Sequence, residues 1–246
     1  MKEYKNIYVN GCSYTAGDEL LDENTWPVLL SNLLGVPMNS LAANGQSLDN
    51  IKLNSISHLS KFDASSTLVI IGLTWSPRYG FLIDGMTVNI TPADIGRKMG
   101  EFTTKISSYR RAKSPYNHLD KLSRIQIDEL QEKYEYQLPL YYYSKYYESL
   151  MKLDKNLKKD QMVNHLVNII SLQSFLKTEG FDYKFIAWDG NIINSKSYFN
   201  DLEGLLNKID YSNIIDIFIP QDELDYTNHP NIKQCKLIAN KIHKLL

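Results

Sequence analysis

Patterns of strand and helix alternate along the start of the chain and again along its end. Asn6 to Gly11 reads as a strand, with the apolar run Ile7-Tyr8-Val9 breaking at glycine. Thr25 to Leu34 reads as an amphipathic helix. Trp26, Leu29, Leu30, Leu33 and Leu34 share one face, Pro27 is tolerated in the first turn, and Gly35 ends it. Pro37 to Leu41 predicts a short strand, and Ala43-Asn44-Gly45-Gln46-Ser47 has the composition of a turn. Ser47 is placed to cap a helix carrying Ile51, Ile56 and Leu59. Thr67 to Leu73 is almost wholly apolar, as a parallel strand buried on both faces requires. Further on, Gln161 to Thr178 predicts a helix, Phe181 to Trp188 a strand and Tyr198 to Ile209 a helix. Asn213 to Ile219 predicts a strand and Asn231 to Leu246 a closing helix. The sum is a three-layer α/β/α sandwich around a parallel, flavodoxin-like sheet of about five strands.

The alternation is interrupted between about residues 79 and 159. A hairpin-like stretch with Gly80, Gly85, Pro92 and Gly96 comes first, then a basic patch at Arg110-Arg111-Lys113, then a Tyr-rich helical stretch spanning Tyr134 to Tyr147. This reads as an insertion into a single domain covering residues 1–246, lying over the carboxyl edge of the sheet, where loops that line active sites gather.

Composition narrows the classes. The chain has 246 residues, enough for a core that needs no staple, and a formal net charge of -1. Near-balanced charge argues against a nucleic-acid partner held mainly through phosphates. The two cysteines, Cys12 and Cys235, form no C-x-x-C and read as free thiols. The N-terminal residues carry no apolar signal segment, and no apolar run reaches membrane-spanning length, so the expectation is a cytoplasmic protein without a membrane partner. No Cys/His/carboxylate spacing suggests a metal, and neither a P-loop nor a dinucleotide-binding fingerprint occurs, so no cofactor is expected.

Candidate chemistry sits at strand ends. Gly11-Cys12-Ser13 puts a hydroxyl at the carboxyl edge of the first strand, where open α/β sheets build their sites. Because Ser13 closes a strand and opens a helix, its hydroxyl is expected to be exposed. His229 stands before the closing helix and offers a base. Alone, Gly-x-Ser reads first as a glycine turn with a serine helix cap. His58, His165 and His243 lie in helix patterns and read as surface or boundary residues; His118 lies in the insertion.

Taken together, the motifs resemble the SGNH (GDSL-type) hydrolases. Gly11-Cys12-Ser13-Tyr14-Thr15-Ala16-Gly17 resembles the first sequence block, in a variant with cysteine where many members have aspartate. Asn39 to Ser47 resembles the second block, Ile70-Ile71-Gly72-Leu73-Thr74 stands where the third is expected, and His229-Pro230-Asn231 resembles the last. The resemblance implies a Ser13 nucleophile, His229 as its base, and an oxyanion hole from the N–H groups of Ser13 and Gly45 with Thr74. It covers residues 6–78 and 161–246, not the insertion.

Two positions depart from the family pattern. Thr74 replaces an asparagine, so a shorter hydroxyl stands where an amide donates. Tyr226 occupies the usual place of the aspartate three residues before the histidine; Asp225 or Asp222 could orient His229, or a backbone carbonyl does. Asp225 is the preferred acid. Tyr14, Trp75 and Arg78 are candidate substrate-binding residues, and the last two could equally anchor the root of the insertion. The implied activity is hydrolysis of a small acyl ester, acetate in particular, on a carbohydrate or similar alcohol. The alternatives are acyl transfer on the same scaffold, or a binding protein that has kept the fold and lost the activity.

Overall fold

A computed structural model describes residues 2–17, 20–74, 78–83, 86–90, 157–188, 200–220, 224 and 229–246. Five strands form one parallel sheet: β1 (Asn6–Asn10), β2 (Met38–Ser40), β3 (Thr67–Gly72), β6 (Asp182–Trp188) and β7 (Ile214–Ile217). Their order is β2-β1-β3-β6-β7. Between them come helices α1 (Ser13–Ala16), α2 (Trp26–Leu34), α3 (Leu48–Leu59), α4 (Leu157–Glu179), α5 (Glu203–Leu206) and α6 (Ile232–Leu245). The strand order reverses between β1 and β3. That is the topological switch point, where the outgoing connections diverge and leave a crevice at the carboxyl edge.

The alternation of side chains along each strand builds two cores. Tyr8, Val69, Ile71, Tyr183 and Phe185 face α3, α4 and α5, while Ile7, Val9, Leu68, Ile70 and Ile186 face α2 and α6. β3 is buried along its whole length, which accounts for its nearly unbroken apolar sequence. Each fully buried large side chain, such as Trp26 or Phe185, contributes on the order of 2 kcal/mol. Both cysteines are buried and form no disulfide.

Ser47 caps α3 as its position predicts, its side chain accepting from the Asn50 N–H. The hairpin-like stretch is an antiparallel pair, β4 (Tyr79–Ile83) and β5 (Met86–Ile90), and β4 packs against α3. The remainder of the interruption, 91–156, lies outside the described residues. One helix is shorter than its pattern suggests. Within 198–209, a 3-10 turn at Asn200–Leu202 leads into the single turn of α5. Leu202, Leu206 and Ile209 keep the helical spacing that produced the expectation, and all three are buried. Past Leu206 the backbone tightens, Lys208 and Ile209 donating to Leu205 and Leu206. No helix among the described residues is long and apolar enough to cross a membrane.

Candidate active site

The turn after β1 is built around small residues. Gly11 directly follows β1 and Gly72 ends the adjacent β3, and the side chain of Thr15 is wedged between them. A Cβ on Gly11 would meet Thr15 Oγ1 at 2.3 Å, and one on Gly72 would meet it at 2.2 Å. The first turn of α1 therefore sinks into the top of the sheet. Gly17, at φ 76°, ends that turn, its N–H donating to the Ser13 carbonyl at 2.9 Å. Trp26 Nε1 donates to the Tyr14 carbonyl at 3.0 Å and ties the turn to α2.

This depth corrects the expectation for Ser13. The residue is only 4 % exposed. Exposure was expected from its place at a strand end, but Thr15 seats in the glycine notch, Tyr14 is buried beside it, and Ser13 is drawn down with them.

The last block meets the first at this point. His229 is half-buried, two residues before Asn231, whose side chain caps α6 by accepting from the Gln234 N–H. The ring of Tyr14 lies 5.4 Å from the imidazole of His229, with the planes at 59°, and 5.3 Å from Trp188 at the end of β6. Residues more than two hundred positions apart are thus neighbours at the carboxyl edge.

The second block is stitched to the same turn. Ala43 donates its N–H to the Gly11 carbonyl at 3.1 Å. Gly45 adopts φ 74°, a left-handed conformation that glycine tolerates, in a turn closed by Gln46 N–H to the Ala43 carbonyl at 3.3 Å. On the other flank, Thr74 follows β3 and is buried. Its hydroxyl has no hydrogen-bond partner among the described residues. Ser13 and Thr74 therefore bracket the switch point between β1 and β3, and the Gly45 loop hangs from the Gly11 carbonyl beside them.

Solved structures similar to this chain include proteins of the G-D-S-L family and carbohydrate esterases. A lipolytic protein of the G-D-S-L family from Desulfitobacterium hafniense is 12% identical over 98% of this chain and 99% of its own, with a TM-score of 0.47. The psychrotrophic esterase EstA from a Pseudoalteromonas species is 13% identical over 98% and 95%, also at 0.47. A family two carbohydrate esterase from Clostridium thermocellum is 11% identical over 99% of this chain and 64% of its own, at 0.45. No protein-family model matches the chain, and no curated protein matches it. The likeness is one of architecture, and the chemistry rests on the residues themselves.

Of the residues singled out from the sequence, the structure brings Ser13, Tyr14 and His229 to one edge, with Gly45 and Thr74 in the loops around them. Arg78 joins them: its Nη1 donates to the Gln46 carbonyl at 3.5 Å, so the root of the hairpin touches the second-block loop. Trp75, Asp222, Asp225 and Tyr226 lie outside the described residues. No group of three or more metal-binding side chains occurs among the described residues.

Two supporting features are absent from the sequence reading. Asn10, fully buried at the end of β1, holds the turn from behind. Its Oδ1 accepts from the Gly11 N–H at 2.8 Å, and its Nδ2 donates to the Ile51 carbonyl at 3.2 Å and to Ser55 Oγ at 3.0 Å. An asparagine directly after the apolar run Ile7-Tyr8-Val9 is the signal that could have found it. The second feature is a polar seam between α3 and α4. Asp49 accepts from Asn168 Nδ2 at 2.8 Å, and Lys52 donates to Asn168 Oδ1 at 2.5 Å. His165 belongs to this seam and is buried, not at the surface. Burial pushes its pKa down to about 4, and Asp49 opposes the shift only in part.

Proposed function

We propose that this chain is a serine esterase that removes a small acyl group from a carbohydrate or similar alcohol through an acyl-serine intermediate. The observation that carries the reading is the contact of Tyr14 with His229, which sets a histidine against the residue next to Ser13 at the sheet's switch point.

Serine is a weak nucleophile until a base removes its proton. In the proposed reaction His229 takes the Ser13 proton as Oγ attacks the ester carbonyl. The negative charge that develops on the carbonyl oxygen meets the N–H groups of Ser13 and Gly45 and the hydroxyl of Thr74. His229 then returns the proton to the departing alcohol, leaving acyl-Ser13. Water, activated by the same imidazole, releases the acid and restores the serine. Asp225 is the proposed partner that fixes the imidazole tautomer and stabilises its cation. Ser13 and His229 belong to the scaffold, while the insertion is proposed to line the acyl and alcohol sites above them.

The buried Thr74 hydroxyl supports this reading physically. Leaving a buried hydroxyl without a protein partner costs about 1–3 kcal/mol, and a developing oxyanion would use that donor.

The test is turnover of a short-chain aryl ester, with products analysed in the presence of an added acceptor alcohol. Hydrolysis to the free acid that is lost in Ser13→Ala supports the esterase. Acyl transfer to the acceptor identifies a transferase on the same machinery. No turnover of any short-chain ester means that the scaffold serves binding, and the proposal fails.

A further inference from the structure

Arg78 is half-buried at the root of the β4–β5 hairpin, four residues beyond Thr74. No carboxylate pairs with it among the described residues. Its one hydrogen bond to a described residue is the long contact to the Gln46 carbonyl, which uses one of five guanidinium N–H groups. A partly desolvated guanidinium without an anion is unfavourable, and the planar fork of arginine suits a carboxylate or phosphate held by two bonds. A neighbouring donor is also under-used. Thr74 Oγ1, a hydroxyl able to donate to an anion, is buried without a partner among the described residues, and Gln46, whose backbone carbonyl Arg78 meets, directly follows Gly45. Charge, unspent hydrogen-bonding capacity and the presumed oxyanion loop thus coincide on one strip of the carboxyl edge.

From this juxtaposition we infer that Arg78 selects esters carrying an anionic group, a carboxylate or its equivalent, close to the reacting carbonyl. The inference rests on the esterase reading and names the substrate class of that site. A neutral acetyl sugar leaves the guanidinium without a counter-charge; an acidic acyl chain, or an acyl group borne on an acidic alcohol, supplies one. Bracing the Gln46 carbonyl alone needs only a single donor, which a neutral side chain provides without bringing a partly desolvated charge to the site.

The experiment compares kcat/KM for two matched pairs of esters. One pair places the charge on the acyl side: para-nitrophenyl hemisuccinate against para-nitrophenyl butyrate. The other places it on the alcohol side: para-acetoxybenzoate against its methyl ester. The wild-type chain is expected to favour the anionic member of one pair by about tenfold, and the pair that responds tells which side of the ester carries the charge. Arg78→Gln should abolish the preference and Arg78→Lys should keep part of it, because lysine retains the charge without the fork. Equal rates within both pairs, or a preference that survives in Arg78→Gln, overturns the inference. So does an equal fall for both members of each pair in Arg78→Gln, which would make Arg78 a brace for the loop. Turnover without charge preference overturns this inference alone; no turnover of any of the four esters overturns the esterase reading and the inference together.

Discussion

The ring of Tyr14 packs against the imidazole of His229 at 5.4 Å between centroids and against Trp188 at 5.3 Å. One side chain therefore links the residue beside the presumed nucleophile to the presumed base and to the end of β6. In the proposed reaction this contact would make Tyr14 a positioning residue for His229. Tyr14→Leu, which keeps apolar bulk and removes the ring, should lower kcat about threefold to tenfold with little change in KM, while Tyr14→Phe should stay near wild type. Equal kinetics for the leucine and phenylalanine variants would show that the ring does not hold the imidazole.

Thr74 offers a cleaner test of the oxyanion hole. Thr74→Val preserves shape and deletes the hydroxyl, so kcat should fall by about a hundredfold with KM nearly constant. Because that hydroxyl has no partner among the described residues, the same variant should not lose stability. An unchanged kcat would leave backbone N–H groups as the whole of the hole.

The notch beneath the Ser13 turn makes a prediction about stability. Gly72→Ala drives a methyl to 2.2 Å from Thr15 Oγ1 and should cost about 2 kcal/mol in urea unfolding. Adding Thr15→Ala should recover most of that loss, since the Thr15 Cβ lies 3.5 Å away, an ordinary contact. Gly11→Ala should not be rescued in the same way, because the Thr15 Cβ at 2.7 Å and the Gly72 carbonyl at 3.2 Å remain in its path. Additive behaviour of Gly72→Ala and Thr15→Ala would contradict the wedge.

His165 gives stability a pH dependence of defined sign. Its pKa is about 4 in the folded chain against an ordinary value of 6.5. Between those values the unfolded chain takes up a proton that the folded chain refuses. The stability due to neutral His165 is therefore complete above about pH 7 and declines as pH falls toward 4. From pH 7 to pH 5 the decline is about 2 kcal/mol from this residue. Urea unfolding of His165→Gln should show a shallower fall over that interval. Identical slopes for variant and wild type would mean that His165 is not held neutral in the seam.

Much of the fold was legible because burial leaves its mark on periodicity. The run from Thr67 to Leu73 reads as a strand covered on both faces and is one, and the spacing of Trp26, Leu29, Leu30, Leu33 and Leu34 reads as a helix whose stripe buries Trp26 and Leu30 fully, while Leu33 at its end is 45% exposed. Ser47 and Asn231 cap the helices they precede because short polar side chains answer the first free N–H groups. What stayed hidden depends on partners distant in sequence. His165 looks like a boundary residue until α3 is seen to cover it. The depth of Ser13 follows from Thr15 fitting between two glycines at the ends of neighbouring strands. Asn10 stands as a polar residue at the end of an apolar run, and its role appears only once Ile51 and Ser55 are seen beside it. The extent of the helix near Glu203 was overestimated because the spacing of buried leucines is the same in a 3-10 turn followed by a single helical turn.

The central claim is that Ser13 is a nucleophile activated by His229, and covalent labelling with a fluorophosphonate probe tests it most directly. The wild-type chain should gain one phosphonyl group, which peptide mass spectrometry should place on Ser13. Ser13→Ala should not label, and His229→Ala should label at least about a hundredfold more slowly while remaining folded. Label on another residue, or unchanged labelling of Ser13 after His229→Ala, would contradict the account.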